Sequence, residues 1–373
     1  MSDRYIGLMS GTSLDGVDGV VYDFSEQTPQ VTSFASSPFP AELRAEFLAL
    51  NSVGDNELHR AALAANDLTH VYAQVVSQLL TQSNLKPADI RAIGAHGQTV
   101  RHRPGEFDGT GYSLQLNNPA LLAELTQIDV VADFRSRDLA AGGQGAPLVP
   151  AFHQEVFASQ GQAVAVLNIG GISNLSVLGA SEPVLGFDCG PGNALMDYWC
   201  HLHKGESFDK DGAWAASGQV NDALLNLLMA ERFIDKNPPK STGRDLFNPA
   251  WLKQRLLGFE EVMPVDVQAT LTEFTALACA KNANDFASVD KNHRKTLFVC
   301  GGGALNSYLM RRLPVTMPNW KIASSEAFGL PPLQVEAAAF AWLARKAIRR
   351  ETASFKSVTG TQGSRILGAI YPA

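Results

Sequence analysis

The stretch Tyr5-Ile-Gly-Leu-Met-Ser-Gly-Thr-Ser-Leu-Asp-Gly-Val-Asp18 decides the fold, because a later stretch repeats its pattern. The repeat reads Ala163-Val-Ala-Val-Leu-Asn-Ile-Gly-Gly-Ile-Ser-Asn-Leu-Ser-Val177. In both, an apolar strand enters a small polar turn and a second strand follows, which is the pattern of a β-hairpin. Glycine-rich turns let backbone N–H groups converge on an anion, because no Cβ holds the ligand away. The repetition predicts a duplicated nucleotide-binding fold.

A third glycine-rich turn, Thr296-Leu-Phe-Val-Cys-Gly-Gly-Gly-Ala-Leu-Asn306, has a different pattern. An apolar strand runs into three glycines, and we predict a helix from about Asn306. Elsewhere predicted strands alternate with helices, which is typical of an α/β fold. The glycine-rich segment 141–147 predicts a crossover between domains. An alanine-rich helix is predicted from Leu333 to about Ile348.

Composition restricts the classes of function. A chain of 373 residues is long enough for about two domains, and 45% hydrophobic with 18% charged residues excludes a disordered protein. The net charge of −7 gives no support for a nucleic-acid partner. No apolar run approaches a membrane-spanning length, no signal pattern opens the chain, and the four cysteines show no metal-binding spacing. We therefore expect a cytoplasmic protein with no membrane partner.

The first turn is a candidate phosphate site. Gly11 and Gly16 stand at the spacing of a P-loop, but Val17 and Asp18 occupy the positions where Lys and Ser/Thr are required. We therefore predict binding through backbone N–H groups rather than a P-loop. Mg²⁺ favours carboxylates, water and phosphate oxygens, so Asp15 is the candidate metal ligand and Asp18 a weaker one. The alternative is that each aspartate hydrogen-bonds its own turn.

Two carboxylates are candidates for catalysis. Asp188 ends a predicted strand before a Gly-Pro-Gly loop, and open α/β sheets place their chemistry at strand ends. There it would act as a general base toward an attacking oxygen; the alternative is an Asx-turn residue. Glu336 lies in the alanine-rich helix, where it either reaches a cleft or belongs to a solvated face.

Two polar clusters follow predicted strands. One comprises His96, Gln98 and Thr99, and the other Asp133, Arg135 and Arg137. Both are suited to hydrogen-bonding a polyhydroxylated ligand, with an arginine available for a carboxylate. The alternatives are a half-buried structural histidine and surface or subunit-interface salt bridges.

The motifs of the chain, taken in order, closely resemble those of the anhydro-N-acetylmuramic acid kinases, within the superfamily of actin, Hsp70 and hexokinase. They are the Ile6–Asp18 opening, His96-Gly-Gln-Thr99, Ala132-Asp-Phe-Arg135, Ala141-Gly-Gly-Gln-Gly-Ala-Pro-Leu-Val149, Asn168-Ile-Gly-Gly-Ile-Ser-Asn174, Phe187-Asp-Cys-Gly-Pro-Gly-Asn-Ala-Leu-Met-Asp197 and Cys300-Gly-Gly-Gly-Ala-Leu-Asn306. The resemblance covers nearly the whole chain. One departure is Cys189, where the family leads us to expect threonine.

The resemblance implies a two-domain actin-like ATPase fold, which is a duplicated ribonuclease H-like fold with an ATP cleft between the domains. We predict a first domain at 1–140 and a second, with a helical insertion, at 141–344. The segment from about 345 to 373 is expected to pack back on the first domain. A homodimer is also implied.

The chemistry implied by the resemblance uses ATP and Mg²⁺. Such kinases open the anhydro ring of the small amino sugar 1,6-anhydro-N-acetylmuramic acid with water and phosphorylate O6. The product is N-acetylmuramic acid 6-phosphate, in cell-wall recycling. The family's catalytic aspartate falls on Asp188, as the general base for that water, and Glu336 matches a carboxylate that helps to orient water or sugar.

The resemblance also implies binding residues. The residues that contact phosphates are Gly11, Thr12, Ser13, Leu14, Asp15, Gly16, Val17, Asp18, Gly170 and Gly171. Those that approach the adenosine are Gly301, Gly302 and Gly303. Those that bind the sugar are His96, Gln98, Thr99, Asp133, Arg135 and Asn193.

Two other functions remain open at this point. In an ordinary sugar kinase of the same superfamily, Asp188 would deprotonate a substrate hydroxyl. An ATP-gated conformational module, such as actin or Hsp70, would have no small substrate. Fold alone does not separate these functions.

Overall fold

The structure, a computed structural model, describes residues 3–11, 13–25, 29–158, 163–178, 183–243, 246–286 and 295–373. The chain forms two compact units. The first unit comprises Met1–Phe152 and Gln334–Ala373, and the second comprises His153–Leu333. Each unit is built around its own mixed β-sheet.

The described strands are, in chain order, β1 (Arg4–Met9), β2 (Gly16–Asp23), β3 (Gln30–Pro38), β4 (Ala92–Ala95), β5 (Gln98–Pro104), β6 (Gly111–Leu116), β7 (Val130–Ala132), β8 (Ala163–Ile169), β9 (Ile172–Leu178), β10 (Leu185–Pro191), β11 (Lys295–Cys300), β12 (Trp320–Ser324) and β13 (Ala369–Tyr371). The described α-helices are α1 (Ala41–Leu50), α2 (Glu57–Ser83), α3 (Pro119–Thr126), α4 (Ser136–Ala140), α5 (Val149–Phe157), α6 (Ala194–Lys204), α7 (Asp222–Met229), α8 (Pro249–Arg255), α9 (Pro264–Phe286), α10 (Ser307–Thr316), α11 (Val335–Ile348) and α12 (Lys356–Thr359).

The two sheets repeat one topology. The first has the order β13-β7-β4-β1-β2-β3, and the second has the order β10-β9-β8-β11-β12. In each, the first three strands of the unit form an antiparallel meander, and two later strands add in parallel beside its first strand. This shared order confirms the predicted duplicated α/β fold.

Both predicted hairpins are confirmed. β1 pairs with β2 and β8 pairs with β9, each in antiparallel register. The sequence analysis missed β3, which extends the first hairpin along β2. This edge strand reads Gln30-Val-Thr-Ser-Phe-Ala-Ser-Ser-Pro38, and its serines and partly exposed positions hide the apolar alternation that identifies strands.

Helix α11 lies directly on the sheet of the first unit. Two glycines allow this approach, since a Cβ on Gly7 would overlap the carbonyl oxygen of Ala337 and a Cβ on Gly94 would overlap that of Phe340. Gly7 and Gly94 are partners in the parallel pairing of β1 with β4. The absence of side chains at these two positions therefore lets the backbone of α11 pack directly against the sheet.

The borders of the compact units differ from the predicted ones. Segments 141–152 and 334–344, which we assigned to the second domain, belong to the first unit. Segment 141–147 is held there because Asp138 accepts hydrogen bonds from Gly145 N and Thr359 Oγ1, at 2.8 and 2.9 Å. Residues of the chain end return to the same sheet, where β13 pairs with β7.

The second unit carries the helical part of the chain. Helices α6 to α9 follow β10. Asn221, Asn248 and Asn306 cap α7, α8 and α10 through their side-chain oxygens. Among the described helices, none combines the length and apolar character needed to span a bilayer.

Candidate active site

The turn between β1 and β2 is tightly constructed. Leu14 has a left-handed backbone (φ 59°), and its N–H donates to Gly11 O at 3.2 Å. A Cβ on Gly16 would overlap Ser37 O of the neighbouring strand, so only glycine fits there. Ser13 and Asp15 are exposed on the turn, whereas Val17 is buried. Thr12, also predicted to contact phosphate, lies outside the described residues.

Side chains hold this first turn from behind. The hydroxyl of Tyr72 accepts from Gly97 N and lies 3.0 Å from Ser10 Oγ, which in turn donates to Gly97 O. Gln98 Nε2 donates to Gly11 O at 3.2 Å. Three of these residues (Ser10, Tyr72 and Gln98) are buried. The sequence analysis missed Tyr72, which is hidden in the apolar face of α2.

The turn between β8 and β9 is held by the main chain instead. Asn193 N donates to Gly170 O at 2.7 Å, and the N–H groups of Gly192 and Ala194 donate to Gly171 O. A Cβ on Gly192 would overlap Gly170 O. The carbonyls of the Gly170-Gly171 turn are thus occupied by the loop after β10.

The three glycines after β11 pack against the same turn. Gly301 has φ 77°, and a Cβ there would overlap Asn168 Oδ1. Asn193 Nδ2 donates to Ile169 O at 3.1 Å, and Cβ atoms on Gly302 and Gly303 would each lie 3.3 Å from its side-chain amide. The structure therefore brings Asn193, predicted to bind sugar, together with the two glycine turns of the second unit.

Asp188 is half-buried on β10, at an irregularity between Asp188 and Gly190. Its Oδ2 accepts from Thr242 N at 2.8 Å, which fixes the orientation of the carboxylate. Burial raises the pKa of Asp188 to about 6, against the opposing effects of the Thr242 N–H and the Lys240 ammonium. Lys240 is buried over the Phe187 and Phe233 rings. Neither Lys240 nor Thr242 was singled out from sequence, because both come from a distant loop.

Two carboxylates of the first unit, Glu336 and Asp18, have raised pKa values. The pKa of Glu336, in the first turn of α11, is raised by burial and by the negative charge of Asp18 and lowered by Arg135. The pKa of Asp18 on β2 is raised by burial and by Asp15, against a hydrogen bond from Ser36. Such repulsion is relieved by a bound cation, so Asp15 and Asp18 fit the predicted Mg²⁺. Among the described residues, no group of three or more His, Cys, Asp or Glu forms a complete metal site.

Three of the predicted sugar-binding residues, His96, Thr99 and Arg135, converge in the first unit. Arg135 Nη2 lies 2.7 Å from His96 Nε2, and Gln115 Nε2 lies 2.9 Å from the same atom and donates to Thr99 Oγ1 at 3.1 Å. Gln115 was missed in the sequence. Asp133 is exposed, has φ 56°, and accepts from Ser136 N at the start of α4.

Several buried polar atoms near this cluster have no hydrogen-bond partner among the described residues. They are Gln98 Oε1, Ser113 Oγ, the side-chain oxygen and nitrogen of Asn117, and Arg135 Nε. A buried polar group without a partner is costly, and such groups in native proteins mark ligand or water sites. The grouping makes this side of the first unit a candidate site for polar ligand atoms or water.

Comparisons with known proteins identify the family of the chain. A family model described as anhydro-N-acetylmuramic acid kinase matches residues 3–373. Proteins with that name from Variovorax paradoxus, Cupriavidus pinatubonensis and Pseudomonas paraeruginosa are 64%, 57% and 52% identical. The alignments cover 100%, 99% and 99% of this chain, and 99%, 98% and 99% of the relatives.

Similarity to solved structures is weaker. Xylulose kinase from Lactobacillus acidophilus aligns with 93% of this chain, and 90% of that chain is covered. The identity is 12% and the TM-score 0.47. Both values are low, so the fold is assigned from the strand order of the two sheets and not from this similarity.

Proposed function

Because the chain belongs to the anhydro-N-acetylmuramic acid kinase family, we propose that it opens the ring of 1,6-anhydro-N-acetylmuramic acid and phosphorylates O6 with ATP. The products are N-acetylmuramic acid 6-phosphate and ADP, which places the enzyme in cell-wall recycling. The observation that carries this proposal is the family match over residues 3–373.

The anhydro bond dictates the order of bond changes. It joins C1 to O6, so the substrate has no free 6-hydroxyl to deprotonate. Water oxygen attacks C1, the C1–O6 bond breaks, and O6 takes the γ-phosphoryl group as ADP leaves. One proton of the water goes to a general base, and the net reaction consumes one water.

Asp188 is the proposed base. A pKa of about 6 leaves its carboxylate mostly ionised at neutral pH and still basic enough to accept a proton in the transition state. The hydrogen bond from Thr242 N supports this role by fixing the direction of the carboxylate. Glu336 is the second proposed catalytic carboxylate, which orients water or sugar.

The glycine turns are the proposed nucleotide site. Phosphoryl transfer requires in-line positioning and charge stabilisation more than covalent help from the protein. We assign the phosphates to the segment from Gly11 to Asp18 and to the Gly170-Gly171 turn, and the adenosine to Gly301–Gly303. Mg²⁺, held by Asp15 with Asp18 beside it, would neutralise phosphate charge when bound. Asn193 is assigned to supporting these turns, because its amide contacts Ile169 and the glycine run.

The sugar site is assigned to the cluster around Arg135, with Thr99, Gln98 and Asp133 from the resemblance. Its buried unpartnered atoms, Arg135 Nε and Gln98 Oε1 among them, support this assignment. The cationic guanidinium suits the carboxylate of the muramic acid side chain.

Mass spectrometry in ¹⁸O-water tests the proposed reaction. We expect incubation with Mg-ATP and the anhydro sugar to give a 6-phosphosugar that carries the label at C1. Phosphorylation of an ordinary hydroxyl sugar, with no product from the anhydro sugar, would instead assign the chain to the general sugar kinases.

The resemblance also supports a homodimer and a cytoplasmic location, which we include in the proposal. Light scattering of the purified chain at micromolar concentration tests the dimer. A monomeric mass would remove that part of the proposal and leave the chemistry intact.

A further inference from the structure

Arg135 is held by two neutral acceptors. Its Nη2 lies 2.7 Å from His96 Nε2, and its Nη1 donates to Gly145 O at 2.7 Å. These contacts use two of the five N–H donors of a guanidinium. The Nε–H is buried and has no partner within the described part of the chain. The guanidinium is thus fixed at one side while other donors remain for a ligand.

The hydrogen bonds of His96 determine its tautomer. Nδ1 lies 3.0 Å from Ser10 O, and a carbonyl only accepts, so Nδ1 carries the proton. Nε2 then presents its lone pair, which matches the donors of Arg135 and, at 2.9 Å, Gln115. Burial and the neighbouring Arg135 lower the pKa of His96 to about 3, so the ring is neutral at physiological pH.

His96 has no nitrogen left for a substrate. The side chain is 5% exposed, and its ring packs 4.7 Å from the Phe340 ring between centroids. Both ring nitrogens are engaged by protein atoms. The residue therefore acts on a ligand through Arg135 and not by contact.

We propose that His96 is a positioning residue, which holds Arg135 so that the remaining N–H groups of the guanidinium bind the carboxylate of the sugar substrate. This inference rests on the proposed function, because it takes the substrate to be a carboxylated anhydro sugar. A free arginine side chain carries about 2 kcal/mol of rotamer entropy, and a prepositioned one loses less of it on binding.

A neutral acceptor suits this task better than a carboxylate. An aspartate or glutamate bonded to Arg135 would neutralise it and compete with the substrate carboxylate. His96 Nε2 and Gly145 O hold the guanidinium without neutralising its charge. Two acids, Glu336 and Asp138, interact with Arg135 through their charges. Neither accepts a hydrogen bond from the guanidinium among the described residues, and the Asp138 oxygens accept from Gly145 N and Thr359 Oγ1 instead.

Two variants of His96 test the roles of its two ring nitrogens separately. His96→Gln places an acceptor near the position of Nε2, and His96→Asn places a polar group near that of Nδ1. The test is steady-state kinetics with 1,6-anhydro-N-acetylmuramic acid, together with the Ki of 1,6-anhydro-N-acetylglucosamine, which lacks the carboxylate. A hydrogen bond to a charged group corresponds to about tenfold to hundredfold in affinity.

We expect His96→Asn to raise KM for the carboxylated sugar by about tenfold or more, with kcat little changed. His96→Gln should restore most of the loss. The KM for ATP and the Ki of the sugar without carboxylate should stay near those of the unsubstituted enzyme. Equal losses for both sugars, or a fall in kcat without a rise in KM, would overturn the positioning role.

A double-mutant cycle of His96→Asn with Arg135→Lys provides a second test, for which circular dichroism first establishes that both single variants and the double variant fold. If His96 acts through Arg135, its substitution should have little further effect on KM in the Arg135→Lys background. An undiminished effect there would overturn the proposal. Failure of the proposed function is distinct, since the unsubstituted enzyme would then give no phosphorylated anhydro sugar.

Discussion

The two units share one strand order but hold their glycine turns in different ways. In the first unit, the side chains of Ser10, Tyr72 and Gln98 secure the turn after β1. In the second, backbone N–H groups of residues 192–194 occupy the carbonyls of the turn after β8. A turn held by side chains is vulnerable to single substitutions behind it, whereas a turn held by main chain is vulnerable only where a Cβ intrudes.

The units also differ in charge. In the first, the charge of Asp15 raises the pKa of Asp18, and the charge of Asp18 raises the pKa of Glu336, with Arg135 as the cation that opposes the second effect. In the second, Asp188 has its pKa raised by burial alone, against Lys240 and the Thr242 N–H. An isolated carboxylate titrates as one group and suits proton transfer, whereas a set of repelling carboxylates suits a cation.

The largest effect is expected from Asp188→Asn. Loss of a general base costs about 10²–10⁴-fold in kcat, and we expect unchanged ATP affinity because the glycine turns remain. At pH 8 the variant should unfold at the same or a higher temperature, since burial disfavours the ionised carboxylate it replaces. Single-turnover kinetics, ATP titration and thermal unfolding measure the three properties.

Asp222→Asn is the matched control, because Asp222 is exposed on α7 of the same unit. Its kcat should equal that of the unsubstituted enzyme. Near-normal turnover of Asp188→Asn would show that Asp188 is not the base. The isolation of this carboxylate in the second unit would then have no role in catalysis.

The pH dependence of kcat tests whether Asp188 titrates as a single group during catalysis. Only the carboxylate form of Asp188 accepts a proton, and its pKa is about 6. Activity should therefore hold above about pH 7 and fall, by about tenfold per pH unit, well below pH 6. The residual rate of Asp188→Asn should lack this acidic limb. A limb of the same midpoint in that variant would assign the titration to another group.

Much of the fold was predictable from sequence, and the arrangement of the site was not. The hairpins are local patterns of glycine between apolar runs, so Gly11 and Gly170 identified both turns. The partners of Asp188 come from 240–242, and Glu336 reaches Asp18 only because α11 packs on Gly7 and Gly94. These contacts depend on tertiary packing between segments far apart in sequence, for which neither periodicity nor spacing gives a signal.

Residue roles were harder to predict than residue identities. His96 stood among the candidate sugar-binding residues, yet both of its ring nitrogens engage protein atoms in the structure. A motif marks which residues a site needs and does not distinguish contact with a ligand from support of a neighbour. Hydrogen-bond partners make that distinction, because a group with all its polar atoms engaged has none to offer.

The main-chain turn of the second unit is tested by a pair of glycine substitutions. Gly192→Ala would push a Cβ into Gly170 O, and overpacking of this kind costs about 1–3 kcal/mol of stability. Gly171→Ala meets nothing closer than the Ala194 Cβ at 3.7 Å, so we expect it to fold normally. Urea unfolding compares the two variants.

ATP titration of Gly171→Ala then examines the ligand side of the same turn. If the turn N–H groups approach phosphate closely, a Cβ at Gly171 should weaken ATP binding without loss of stability. Equal stability of Gly192→Ala and Gly171→Ala would contradict the packing assigned to this turn. Unchanged ATP affinity in Gly171→Ala would show that this turn does not contact the nucleotide.

An effect similar in size to that of Gly192→Ala is expected from the side chains behind the first turn. Tyr72→Phe removes the hydroxyl that accepts from Gly97 N and contacts Ser10 Oγ, and it leaves the Gly97 N–H buried without that partner. An unsatisfied buried donor costs about 1–3 kcal/mol, which urea unfolding resolves. Tyr112→Phe, at an exposed position on β6, is the control and should leave the unfolding midpoint unchanged. If Tyr72→Phe and Tyr112→Phe have the same unfolding midpoint, the side-chain network does not stabilise the turn. The two units would then differ in their charged groups and not in how their turns are held.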